Sequence, residues 1–168
     1  MIIIGIDPGT ATTGFGILRK NGDNLRVVDY GCINTKPNFS DGERLKIINK
    51  EIDKLIKKYK PKIFAVENLY FFKNFKTAIP VSQAKGVILL AAAKRRIPVL
   101  EFTPLQMKMA ITGYGKADKK QVQKMVRKLL DLEEKPKDKD KRKDDATDAL
   151  GVALCCAILG NKNKTKLS

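Results

Sequence analysis

Apolar residues along this chain alternate between two periods. Ile2-Ile3-Ile4-Gly5-Ile6 is a short continuous run, and it predicts a buried strand over 2–7 that ends in Asp7. A turn at Pro8-Gly9-Thr10 leads into a second strand over 13–19. Asn21-Gly22 marks a hairpin into a third, over 25–35. Three hairpin-linked strands make an antiparallel meander. The period then changes. Leu45, Ile48, Ile52, Leu55 and Ile56 recur at helical spacing and predict a helix over 41–59, which Lys60-Pro61-Lys62 ends. Ile63-Phe64-Ala65-Val66-Glu67 reads as a fourth strand, 77–95 as a helix with Pro80 in its first turn, and 98–102 as a fifth strand. Strands separated by helices imply parallel crossovers. The fold class is therefore α/β: a five-stranded mixed sheet, antiparallel in strands 1–3 and parallel in strands 4–5, flanked by helices.

Beyond the fifth strand, Asp118 with Gln121 three residues later is a capping box for a helix over 119–131. The charged run 133–143, which contains Pro136, reads as a mobile loop. A last helix is expected over 144–159. The expected organisation is one domain over 1–160 and a polar tail over 161–168, without internal repeats.

Composition narrows the chemistry. The 168 residues include 34 Lys and Arg against 18 Asp and Glu, a formal net charge of +16 that suits phosphates as partners. Histidine is absent, which excludes Ser-His-Asp triads, imidazole bases and imidazole zinc sites. Cys32, Cys155 and Cys156 lack metal-site spacing, and the last two read as small core residues of a protein kept in a reducing compartment. No apolar run approaches the about 18 residues needed to span a bilayer, and no secretion signal is evident, so a cytoplasmic protein with no membrane association is expected.

Against this basic background, acid sits at the ends of apolar elements. Asp7 and Glu67 close buried runs, and Asp145 and Asp148 open the apolar stretch 149–159. A carboxylate at a buried strand tip is costly unless a cation accompanies it. Asp145 and Asp148, three apart on a helix, point the same way, and Val152 continues that face; Asp144, four before Asp148, is the alternative to Asp145. Such a cluster repels itself unless hard divalent cations occupy it. Two ions about 3.5–4 Å apart could drive in-line phosphoryl displacement. Tyr70-Phe71-Phe72 with Lys73 and Lys76 could stack on unpaired bases, and Lys108, Lys116, Lys119 and Lys120 around Gly113-Tyr114-Gly115 suit phosphate contacts.

Several motifs then carry a resemblance. Gly5-Ile6-Asp7-Pro8-Gly9-Thr10, Ala65-Val66-Glu67-Asn68, Gln83-Ala84-Lys85-Gly86, 119–126 (Lys-Lys-Gln-Val-Gln-Lys-Met-Val) and 145–150 (Asp-Ala-Thr-Asp-Ala-Leu) resemble the RuvC-type Holliday-junction resolvases, in order over 2 to about 159. The resemblance implies an RNase H-like fold, magnesium-dependent hydrolysis of four-way DNA junctions in recombination and repair, and a homodimer. It also implies a branch-migration helicase partner, and two magnesium ions per site with manganese able to substitute. The family's acidic tetrad falls on Asp7, Glu67, Asp145 and Asp148, its junction-engaging aromatic on Tyr70, and its two functional lysines on Lys108 and Lys119. Tyr70 stands where some members have Phe. Some members carry histidine at the position of Asp145, which this chain cannot.

The helix 77–95, with Ile79, Val81, Val87, Ile88, Leu89 and Leu90, has more apolar surface than one sheet contact needs, and its spare face is the expected dimer contact. Three other classes compete: an RNase H-like nuclease acting on structured RNA, a non-catalytic junction-binding protein, and an ATPase domain of the actin and Hsp70 class. The last needs two lobes, where this chain has one.

Overall fold

The structure, a computed structural model, describes residues 1–68, 75–132 and 141–163. Strands β1 (Ile2–Asp7), β2 (Thr12–Asn21), β3 (Asn24–Asn34), β4 (Ile63–Glu67) and β5 (Val99–Phe102) form one sheet in the order β3-β2-β1-β4-β5. The β1–β2 and β2–β3 pairs are antiparallel, and the β1–β4 and β4–β5 pairs are parallel. This is the expected mixed sheet of an RNase H-like fold. Five helices accompany it among the described residues: α1 (Asp41–Tyr59), α2 (Phe75–Lys94), α3 (Pro104–Thr112), α4 (Lys119–Leu129) and α5 (Lys141–Asn163).

Side-chain alternation sorts the sheet into two faces. Ile4, Ile6, Ile17, Phe64 and Val66 pack with Ile48 and Ile52 of α1 and Ile88 of α2. Ile3, Leu18, Ala65 and Phe102 pack instead with α3, α4 and α5. Period two along β1 and β4 therefore puts Asp7 and Glu67 on the α5 face. Residues 151–157 of α5 are all buried, because the sheet covers one side and α3 and α4 the other. A helix enclosed in this way is apolar all round.

That helix lies very close to the sheet. A Cβ on Gly5 would fall 2.2 Å from the Ala149 carbonyl oxygen, and one on Gly14 would fall 2.2 Å from that of Asp145. These two strand positions must be glycine for α5 to seat where it does.

Several boundaries depart from expectation. α2 starts at Phe75, so Pro80 lies in its second turn rather than its first, and the helix forgoes one backbone donor there. α4 stops at Leu129, two residues short, where Leu130 caps it and Asp131 turns to φ 51. α5 begins at Lys141, inside the segment expected to be loop, and runs to Asn163, past the expected domain end at 160. Residues 133–140 and 164–168 lie outside the described set. α3 was not anticipated. Its signals are local: a Thr103–Gln106 capping box, Pro104 in the first turn and Gly113 in the left-handed conformation at the end.

Candidate metal centre

Neighbouring strand ends bring two of the carboxylates together. Ile6 of β1 pairs with Val66 of β4, so the next residues, Asp7 and Glu67, emerge side by side at one sheet edge. Across β1, Asp7 faces Gly14 of β2, where the missing side chain lets α5 descend. The helix then adds Asp145 and Asp148. One carboxylate oxygen from each of Asp7, Asp145 and Asp148 lies within 4.8 Å of the others. Asp144, the alternative to Asp145, is not in that set. Glu67 is also outside it, but it lines a cavity of about 350 Å³ together with Asp7, Asp148, Lys108, Lys119 and Gln123.

The cluster is electrostatically strained. Burial, then repulsion from Glu67, Asp148 and Asp145, pushes the Asp7 carboxyl up to about 8. Glu67 is raised by burial and then by Asp148. Asp145 is raised by burial, with Asp148 and Asp144 adding to it and Lys119 opposing. Burial would lower Lys119, but its hydrogen bond and attraction to Asp148, with Asp7 and Asp145 behind, raise it on balance. Carboxyls held above their ordinary range by burial and then by mutual repulsion, in an all-oxygen set, fit a hard divalent cation.

Asp148 is held at both oxygens by α4. Lys119 Nζ lies 2.6 Å from its Oδ2, and Gln123 Nε2 donates to its Oδ1 at 2.8 Å. One turn further along α4, Arg127 donates to Thr147 Oγ1 at 3.2 Å. Positions 119, 123 and 127 share one helix face. Asp118 caps this helix through the Gln121 capping box, as the sequence predicts. Gln123 and Arg127 were not singled out from the sequence. Their i, i+4 and i+8 spacing from Lys119 was the available signal.

The other expected contact residues are dispersed. Lys108 lines the cavity, whereas Lys116 and Lys120 are exposed and do not. Tyr70 and Lys73 lie outside the described residues. Lys76 falls in the first turn of α2, and its side chain also lies outside them. Lys85 of the Gln83–Gly86 motif bridges two strand ends, with Nζ 2.5 Å from Glu101 Oε2 and 3.4 Å from Asn68 Oδ1. It thereby anchors the residue after Glu67. The buried thiols of Cys155 and Cys156 are pushed up to about 12 and about 11, chiefly by desolvation, and so are poor nucleophiles. No helix among the described residues is long and apolar enough to cross a membrane.

The chain is similar to known proteins over nearly its whole described length. The model of the family described as crossover junction endodeoxyribonuclease RuvC matches residues 3–156. The chain is 52% identical over 154 residues to the protein of that name from Fusobacterium nucleatum, covering 92% of this chain and 78% of the other. It is 50% identical over 155 residues to that of Halothermothrix orenii, covering 92% and 91%. Among solved structures, Thermus thermophilus RuvC in complex with a Holliday junction substrate superposes with a TM-score of 0.87 at 31% identity, over 97% of this chain and 96% of that one.

Proposed function

The chain belongs to the RuvC family of crossover junction endodeoxyribonucleases, and on that premise we propose that it resolves four-way (Holliday) DNA junctions by cutting phosphodiester bonds at Asp7, Glu67, Asp145 and Asp148. The observation that carries the reading is the carboxylate set itself: Asp7 with Asp145 and Asp148 of one helix, and Glu67 from the neighbouring strand end on the same cavity, on a chain of net charge +16. Buried carboxylates repel phosphate, so a protein that only bound DNA would gain nothing from them.

The carboxylates would hold magnesium, two ions per site, with manganese as a substitute. When bound, those ions would make a water nucleophilic and neutralise the charge developing on the leaving oxygen. The chain's own residues do the rest. Asp7 and Glu67, fixed by β-pairing, give the site a rigid floor. α5 presents Asp145 and Asp148 above it. Lys108 and Lys119 line the cavity and supply positive charge for the phosphates flanking the scissile bond, while Lys116 and Lys120 extend the basic surface. Tyr70 would stack on bases exposed at the crossover, with Lys73 and Lys76 following it in sequence to meet phosphates.

A homodimer completes the reading. A four-way junction has approximate two-fold symmetry, so paired cuts need two equivalent sites. On α2, Ile79 and Leu90 are 63% and 51% exposed, and a Cβ on Gly86 between them would meet open space. These residues recur along one helical stripe, which suits close packing of two copies. The helicase partner rests on the family resemblance alone. The buried thiols of Cys155 and Cys156 accord with work in a reducing compartment.

The test is cleavage of a synthetic four-way DNA junction beside matched linear duplex and single-stranded RNA, with and without magnesium. Paired, symmetric, magnesium-dependent nicks in the junction alone are expected. Preferential cutting of RNA, or tight junction binding without cutting, would overturn the reading.

A further inference from the structure

Among the residues around the carboxylates, Gln123 is neither acidic nor basic, yet it makes a direct hydrogen bond to one of them. Its Nε2 donates to Asp148 Oδ1 at 2.8 Å, while Lys119 Nζ takes Oδ2 at 2.6 Å. The two partners differ in kind. The Lys119 side chain is 63% exposed and carries the charge that a phosphate would attract, whereas Gln123 is half-buried in the cavity wall. An amide also adds no charge, so it can steer a carboxylate without competing with a cation for it.

We propose that Gln123 is a positioning residue: it fixes the side-chain orientation of Asp148 so that the carboxylate meets a divalent cation in ligating geometry, whether or not Lys119 is engaged elsewhere. The inference rests on the metal-dependent reading of the cluster. Asp148 needs such a hold because its neighbours repel it, since Asp7 and Asp145 each have an oxygen within 4.8 Å of its own. An unrestrained Asp rotamer would turn away from that repulsion. The Gln123 amide opposes the turn, and the Arg127–Thr147 bond one turn along holds the adjacent α5 backbone against α4. Partners that orient ligating side chains commonly contribute 10–100-fold in metal affinity.

The experiment is manganese binding to the full-length protein without DNA, followed by electron paramagnetic resonance. Wild type, Gln123→Met and Gln123→Glu are compared, with Asp7→Asn as the control. Gln123→Met keeps the side-chain volume and removes the donor, and it should weaken manganese binding by about tenfold. Gln123→Glu places a like charge against Asp148 and should do at least as much unless it becomes a ligand itself, which a changed manganese spectrum would reveal. Junction affinity and its salt slope should stay those of wild type in Gln123→Met. Its cleavage defect should shrink as magnesium is raised, which a purely structural defect would not do. Wild-type manganese affinity in Gln123→Met, or a cleavage defect indifferent to magnesium, overturns the proposal. If wild type binds no manganese that Asp7→Asn abolishes, the metal reading itself fails instead, so the two failures are distinct.

Discussion

The carbonyl oxygen of Asp145 sits over Gly14, only 2.2 Å from where a Cβ on that glycine would stand. A strand residue with no side chain thus determines how far a carboxylate on a distant helix stands from Asp7, the cross-strand partner of Gly14. Gly14→Ala should lift the first half of α5 from the sheet. Overpacking of this kind costs about 1–3 kcal/mol. Thermal unfolding should show that loss, and junction cleavage should fall further than stability alone explains, because the carboxylate spacing changes. Near-normal cleavage in a folded Gly14→Ala protein would contradict the role of the close contact.

Lys119 is expected to neutralise one phosphate of the bound junction. Lys119→Ala should weaken junction binding and lower the slope of log K against log salt by about one unit. An unchanged slope would show that Lys119 serves only as the counter-charge of Asp148.

Metal-free protein should lose stability as pH rises. The Asp7 carboxyl titrates near 8 when folded and near the ordinary 3.8 when unfolded, so between those values the folded state holds a proton that the unfolded state has released. Its contribution is complete below the lower value, declines on rising through the interval and is gone above the upper one. Glu67 and Asp145, also raised, act with the same sign. Melting temperature without metal should therefore drop from about pH 6 to about pH 8.5, less steeply in Asp7→Asn, and magnesium should restore most at the alkaline end. Equal pH slopes for the two proteins would count against the assignment.

The exposed stripe on α2 supplies a separate test. Leu90→Glu or Ile79→Glu, both at exposed positions, should leave the fold intact and shift the protein from dimer to monomer in sedimentation. Paired nicking of a junction should become single, uncoordinated nicking. A dimer that survives both substitutions would place the interface elsewhere.

The mixed sheet and both strand-end acids were legible in the sequence, because a short apolar run closing on Asp or Glu is a local signal. The placement of Asp145 over Asp144 was a matter of helical face, and three-residue spacing with Val152 was enough to favour it. The start of α5 was hidden by the run of alternating charge before it, since lysines and aspartates read as solvated loop even where the helix continues through them. α3 was missed although its capping box was present, because nine residues of weakly amphipathic sequence offer little period to detect. Gln123 could be placed on the Lys119 face by its i+4 spacing, but its role was not legible. Its role lies in a contact 25 residues away, with Asp148, and no local pattern encodes that.

The central claim is that the carboxylate cluster cuts while the basic surface binds. The most direct measurement takes Asp7→Asn and sets its junction affinity beside its cleavage rate under the same magnesium and salt. The account predicts affinity close to wild type, with cleavage down by about 100-fold or more, since a metal ligand contributes several kcal/mol to the transition state. Cleavage near the wild-type rate, or binding that falls in step with it, would contradict the account.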